Sequence, residues 1–377
     1  MLNRRTLLAS GLAGMVMTAS FPGAAWAVAG TNKRFIFIIQ RGAADGLATL
    51  APTGDPDFAR ARGDASADGS TGHRLDSFFT LHAAMPQAAR MFAQGEASFS
   101  HALASGYRER SHFDAQNMLE SGAAKPYGRS DGWIGRLLAM LPTEAGKAVA
   151  VAPAVPLALR GPIVANSYAP SRLPNASSEL MVRLSTLYAE DAQLSGLWEG
   201  AMATDAMAGT MASEALRGGA ALGKVAAGLM AGATGAQVVM LETNGWDTHF
   251  QQEGRLTAGL RQLDALIASL REGLALDWDD TLVMVATEFG RTVAFNGTGG
   301  TDHGTGSSAM LFGGRLEQGG RVKADWPGLA NSNLLDGRDL RPTSRFEDFA
   351  STALAHHYGM DRFETRKALF PDFALLP

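Results

Sequence analysis

Asp247 and His249 stand two positions apart in the stretch ETNGWDTHF, directly after the apolar run AQVVML. A carboxylate and an imidazole at that spacing can share a divalent metal, or they can form a polar turn that ends a strand. Similar side chains recur elsewhere: Asp45 in RGAADG, Ser111 and His112 in SHFDAQ, Glu288 in ATEFGRT, and Asp302 and His303 in TDHG. Together they supply imidazole, carboxylate and hydroxyl groups, a mixture suited to one or two divalent ions such as Zn²⁺, Mn²⁺, Ca²⁺ or Mg²⁺. The chain contains no Cys, which excludes disulfides, thiolate ligands and a Cys nucleophile. Each residue also has a local use. Ser111 and Asp114 can cap a helix, Glu288 can pair with Arg291, and Asp45 can serve a turn before Gly46.

These residues need elements to position them. The run Phe35 to Ile39 is continuously apolar and ends in a Gly-containing loop, as expected of a strand buried on both faces of a parallel sheet. Residues 82–94 have helical spacing, GEASFSHALA reads as a strand, and together they predict a βαβ start. Ser111 then caps a helix that ends at Gly122. Residues 131–235 read as mainly helical apart from AVAVAP and PLALRGP. Next, AQVVML, a helix carrying Leu256, Leu260, Leu263, Leu266, Ile267 and Leu270, and DTLVMVAT form a strand–helix–strand unit with a parallel pair. A Gly-rich loop and the strand AMLF follow. The fold class is therefore α/β, with a mostly parallel central sheet flanked by helices. In such sheets ligands bind beyond the carboxyl ends of the strands. That rule collects Asp45, Ser111, His112, Asp247, His249 and Glu288, with Asp302 and His303 in the loop beyond.

A formal charge of −4 and 46% hydrophobic residues describe an ordinary globular chain, with nothing that suggests nucleic acid as a partner. At the start, Arg4 and Arg5 precede a modestly apolar stretch and the small-x-small site Ala25-Trp26-Ala27. Residues 1–27 resemble a twin-arginine export signal, which makes the export machinery an expected partner and the periplasm the expected location. Gly, Ser, Thr and Pro22 dilute the run, so no stable membrane anchor is expected. Length allows residues 28–377 one large α/β domain or two smaller ones; with no convincing linker or repeat in the middle of the chain, a single domain with a helical Ala- and Met-rich insertion around 131–235 is expected.

RGAADG, SHFDAQ, GWDTH, ATEFGRT and DHG, in this order behind such a signal, resemble an uncharacterised family of exported bacterial proteins of unknown function. That family is grouped with the alkaline phosphatase and sulfatase superfamily. The resemblance implies an alkaline phosphatase-like fold in which Asp45 matches the first metal-binding acid and Ser111 the nucleophile at a helix start. It makes Asp247 and His249 the later ligand pair, Glu288 the acid at the next strand end, and His303 the last His, with Asp302 assisting. The expected activity is metal-dependent hydrolysis of small phosphate or sulfate esters. Arg108 or Arg110 would bind the anion, and His112 would serve as ligand or acid. Two departures bear on this. Phe289 stands where the family pattern has His or Asn, and the DTH spacing is shorter than the phosphatase version. The alternative is a non-catalytic periplasmic protein that holds a metal or ligand on the same fold. Sulfatase chemistry of the formylglycine type is disfavoured by the lack of Cys and of a Ser-x-Pro-x-Arg sequence.

Overall fold

The computed structural model describes residues 32–63, 71–142, 147–169, 178–189, 191–208, 218–232 and 234–373; the expected export signal lies outside them. Among the described residues the strands are β1 (Arg34–Gln40), β2 (Leu50–Ala51), β3 (His73–Arg74), β4 (Thr80–Leu81), β5 (Ala97–Ala104) and β6 (Ala148–Ala150). They continue with β7 (Asn166–Ser167), β8 (Val238–Thr243), β9 (Thr281–Thr287), β10 (Ser307–Phe312), β11 (Val322–Lys323) and β12 (Ser344–Arg345). A nine-stranded sheet runs β11-β5-β10-β9-β1-β8-β6-β7, with β12 paired to β5, while β2, β4 and β3 form a small separate sheet. The large sheet is mostly parallel. Strand β10 runs antiparallel to both β9 and β5.

β1 is buried along its whole length, with five consecutive apolar residues, Phe35 to Ile39, between Arg34 and Gln40. Alternation sends Ile36 and Ile38 to one face and Phe35, Phe37 and Ile39 to the other, and each set joins a different core. The first face is covered by the Gln252–Gly273 helix, whose Leu256, Leu260, Leu263, Leu266, Ile267 and Leu270 are all buried there. On the second face the helices Trp133–Met140 and Phe346–Tyr358 close over Phe35 and Phe37. Trp133 is fully buried, and its indole N–H donates to the Leu119 carbonyl at 2.9 Å.

The strands expected between residues 35 and 104 are present with the helix Pro86–Ala93 between them, but β9 and β10 stand between β1 and β5. Similarly β8 and β9 run parallel with β1 between them, in register with Phe35 opposite both Val238 and Leu282. Periodicity fixes which residues are buried. It does not fix which strand is the neighbour. Between residues 131 and 235 the described helices are Trp133–Met140, Ser178–Tyr188, Ala192–Ala208 and Gly219–Met230, and β6 and β7 extend the main sheet. No helix among the described residues is long and apolar enough to cross a membrane.

Candidate metal centre

Strands β1, β8 and β9 end side by side, with Gln40 paired to Thr243 and to Thr287. The residues just beyond those ends gather with the start of the helix His112–Ser121. Ser111 caps that helix with extended backbone, its hydroxyl accepting from Asp114 N at the long distance of 3.5 Å. Just before it Arg110 takes a left-handed conformation, with φ of 61°. The loop after β9 returns His303 to a bridge with Arg291.

Three imidazoles meet here, and each has one nitrogen held from behind. His112 Nδ1 lies 2.8 Å from Glu288 Oε1. His249 Nδ1 is 3.1 Å from Asp302 Oδ1, and His303 Nδ1 is 3.0 Å from the Arg110 carbonyl oxygen. Carboxylates and carbonyls only accept, so each Nδ1 carries the proton and each Nε2 presents a lone pair. The Nε2 of His303 stands between the other two. His303 Nε2 lies 3.0 Å from that of His112 and 2.9 Å from that of His249.

Asp247 completes the group, with Oδ1 3.0 Å from His249 Nε2 and 3.3 Å from His303 Nε2, and Oδ2 3.6 Å from His112 Nε2. Lone pairs facing one another at such distances repel unless a cation lies between them. A tetrahedral ion with bonds of about 2.0–2.1 Å sets its ligands roughly 3.3–3.4 Å apart, and the observed separations bracket that edge. Ligand atoms of His112, Asp247 and His303 all lie within 4.8 Å of one another. The donor set fits a first-row divalent ion that accepts imidazole better than the oxygen-seeking Ca²⁺ or Mg²⁺.

Glu288 is buried behind His112, and its Oε1 also accepts from Gly42 N at 2.8 Å and Gln116 Nε2 at 2.9 Å. Burial pushes its carboxyl up, but the hydrogen bonds from His112, Gln116 and Gly42 outweigh this and its pKa is lowered overall. Its hydrogen bond in turn raises the pKa of His112. Gly42 has φ of 116°, and a Cβ there would sit 2.6 Å from Asp247 N, so only glycine lets this turn reach the site. Phe289, which cannot bind a metal, stacks on the His112 ring at 4.9 Å and fixes its plane.

Behind Asp247 stands Arg291, with a fully buried side chain that donates to Asp247 Oδ1 at 2.7 Å. Burial would raise the Asp247 carboxyl, yet this guanidinium holds it below the ordinary value. His303 is shifted down by burial and by the neighbouring His112. Of the two roles open to Glu288, pairing with Arg291 and metal ligation, the structure shows neither: Arg291 pairs with Asp247, and Glu288 holds His112 from behind.

Other residues nominated from the sequence lie elsewhere. Asp45 is buried, caps the short helix Gly46–Thr49, and binds Arg62 at 2.6 Å and Gln252 Nε2 at 2.7 Å. Both its oxygens are engaged by protein donors, so its link to the cluster is indirect. Gln252 accepts from Thr248 and Thr301, and Thr301 accepts from Arg291. The Arg110 side chain is committed to Asp339 at 2.9 Å; its carbonyl, rather than its guanidinium, serves the site. Arg108 donates to the carbonyls of Ser105 and Tyr107 and lines a different cavity. Asp302 acts behind His249 and is held by Asn296 at 3.1 Å. Arg291 and Gln116 belong to the site although neither stands among the residues that the strand ends select; for Arg291 the signal in the sequence is the Gly-Arg step after a strand.

A family model described as "Protein of unknown function (DUF1501)" matches residues 80–362. No curated protein matches the chain. Among solved structures it is similar to the zinc complex of the C-terminal periplasmic domain of EcEptC from Escherichia coli, at 8% identity and a TM-score of 0.38, covering 76% of this chain and 75% of that one. It is also similar to Ps i-CgsB, at 11% identity and a TM-score of 0.42, covering 90% of this chain and 76% of that one. A third is the lipoteichoic acid synthase LtaP from Listeria monocytogenes, at 10% identity and a TM-score of 0.37, covering 79% and 70%.

Proposed function

The chain belongs to the DUF1501 family of proteins of unknown function, and from that premise and the geometry of the cluster we propose that it is an exported, metal-dependent hydrolase of small phosphate or sulfate esters. The observation that carries the proposal is that ligand atoms of His112, Asp247 and His303 all lie within 4.8 Å of one another, with both imidazoles fixed from behind and His249 Nε2 2.9 Å from that of His303. In this reading His112, Asp247 and His303 hold the ion. A divalent ion bound there supplies Lewis-acid activation of an ester oxygen and of a hydroxyl nucleophile.

The chain's own residues would do the rest. Ser111, next to the ligand His112 at the positive end of a helix, is the candidate nucleophile, since helix N–H groups stabilise an alkoxide and an adjoining anion. His249 is 40% exposed at its side chain and is held by Asp302, so its Nε2 lone pair can accept the proton of the attacking hydroxyl, or add a fourth ligand. Arg291 keeps Asp247 ionised and charges the wall of the site. Arg108 and Arg110 have no place in this reading.

A second reading, a metal-holding protein without turnover, is favoured by one observation. His249 Nε2, 2.9 Å from that of His303 and 3.0 Å from Asp247 Oδ1, can complete the three-residue group to four ligands, the number found in closed structural sites. The test is metal analysis of the purified protein, followed by assay of nitrophenyl phosphate and sulfate esters over a panel of divalent ions. Turnover that S111A and H249A abolish while metal content is retained supports the hydrolase. Bound metal with no turnover on any ester supports the second reading.

A further inference from the structure

Two cavities of about 400 and 380 Å³ lie side by side along the Phe346–Tyr358 helix, apart from the imidazole cluster. Ser100, Lys323, Phe349, Thr352 and Arg362 line both, so they form one continuous groove. Its halves differ in chemistry. The first is floored by Phe99, Leu282, Leu311 and Leu316, with Ala353 on the helix side. The second adds Arg108 and Arg345 to the shared Lys323 and Arg362.

Among the described residues none of these four cations makes an ion pair with a carboxylate, although the buried Glu347 acts at longer range on Arg108 and Arg345. Arg108 donates to backbone carbonyls, Arg345 lies over the Phe373 ring, and Lys323 and Arg362 are exposed. Asp348 lines the same half but is taken by Arg366, and Glu317 lies in the apolar half. On a chain of net charge −4, four unpaired cations around one groove are not the by-product of a basic surface.

We infer that this groove binds an amphiphilic monoanion, with its acidic head among Arg108, Lys323, Arg345 and Arg362 and its apolar body across Phe99, Leu282, Leu311 and Leu316. The head alone would meet only screened surface charge, and the body alone would leave the cations unanswered. A free medium-chain fatty acid and an anionic lipid in a bilayer share this chemistry. The inference is independent of the metal centre.

Octanoate, 1-octanol and inorganic phosphate, titrated calorimetrically into the full chain at low ionic strength, test it. Octanoate is expected to bind at least about 10-fold more tightly than either of the others. K323E/R362E changes two exposed residues, and A353F fills the apolar half; each is expected to weaken octanoate by about 10-fold or more while circular dichroism stays unchanged. Co-sedimentation with phosphatidylglycerol vesicles, lost in K323E/R362E, would assign the head to a bilayer lipid. Octanoate binding without co-sedimentation would assign it to a free amphiphile. Octanoate that binds no better than octanol, or equally well to both variants, overturns the inference.

Discussion

Glu288→Gln is the most informative single change, because it removes a charge and almost no volume behind the metal centre. In the native protein Glu288 Oε1 accepts from Gly42, His112 and Gln116, and Oε2 accepts from Thr287 Oγ1 at 3.1 Å. A glutamine can keep its carbonyl toward His112 Nδ1 and turn its amide to Thr287. The helix start therefore stays in place, and the apoprotein is expected to lose only about 1–2 kcal/mol for a weakened set of charge-assisted hydrogen bonds. The larger effect falls on the ion. Carboxylates that orient a ligating His typically contribute 10- to 100-fold in metal affinity, roughly 1.4–2.8 kcal/mol.

Thermal melts with and without Zn²⁺ read that loss through linkage. At a free ion concentration of about 100 times the native dissociation constant, binding stabilises the folded state by about 2.7 kcal/mol. If E288Q weakens binding 100-fold, the same concentration equals its dissociation constant and stabilises by only about 0.4 kcal/mol. The zinc-dependent gain should therefore nearly vanish while the metal-free melt changes little. Chelator competition gives the affinity directly. Equal zinc affinity and an equal zinc-dependent gain in E288Q would refute the claim that Glu288 sets His112 for ligation.

Removing a ligand should act more severely: H303A is expected to abolish stoichiometric metal binding, measured by elemental analysis after dialysis. D45N should lower stability by about 3–5 kcal/mol in denaturant titration, because it leaves the buried Arg62 without its counter-ion, while metal content is unchanged. Burial pushes the Glu347 carboxyl from 4.5 up to about 7. The folded state then holds a proton that the unfolded chain releases, so this contribution is complete below about pH 4.5 and is lost as pH rises through about 7. E347Q should flatten that decline and gain on the order of 3 kcal/mol at pH 8, and a parallel pH–stability curve for the variant would contradict the assignment.

How far the sequence reveals this site depends on which property is asked of it. Apolar runs and helical spacing identify β1, β8, β9 and the Gln252–Gly273 helix, because burial of each leaves a periodic trace in the chain. Strand ends then nominate Asp247, His249, Glu288 and, through the following loop, His303, and these do come together with His112. Their division of labour left no such trace. Whether Glu288 faces the ion or stands behind His112 is decided by the approach of the Gly42 turn and the Gln116 amide, contacts made across separations of 246 and 172 residues.

Asp45, just beyond a strand end, and Arg110, just before a helix start, show why such a position does not fix a role. Both backbones lie close to the site, yet the side chains follow the nearest strong counter-charge. Asp45 turns to Arg62 at 2.6 Å, and Arg110 turns to the buried Asp339 at 2.9 Å. A charge in a low-dielectric interior gains more from a fixed partner than from a site still open to water, so each was drawn away from the centre. Arg291 obeys the same rule with the opposite outcome. Its fully buried guanidinium reaches Asp247 and makes a core residue part of the site. Topology therefore selects the residues that can meet, and the pairing of buried charges decides which of them are left to bind an ion.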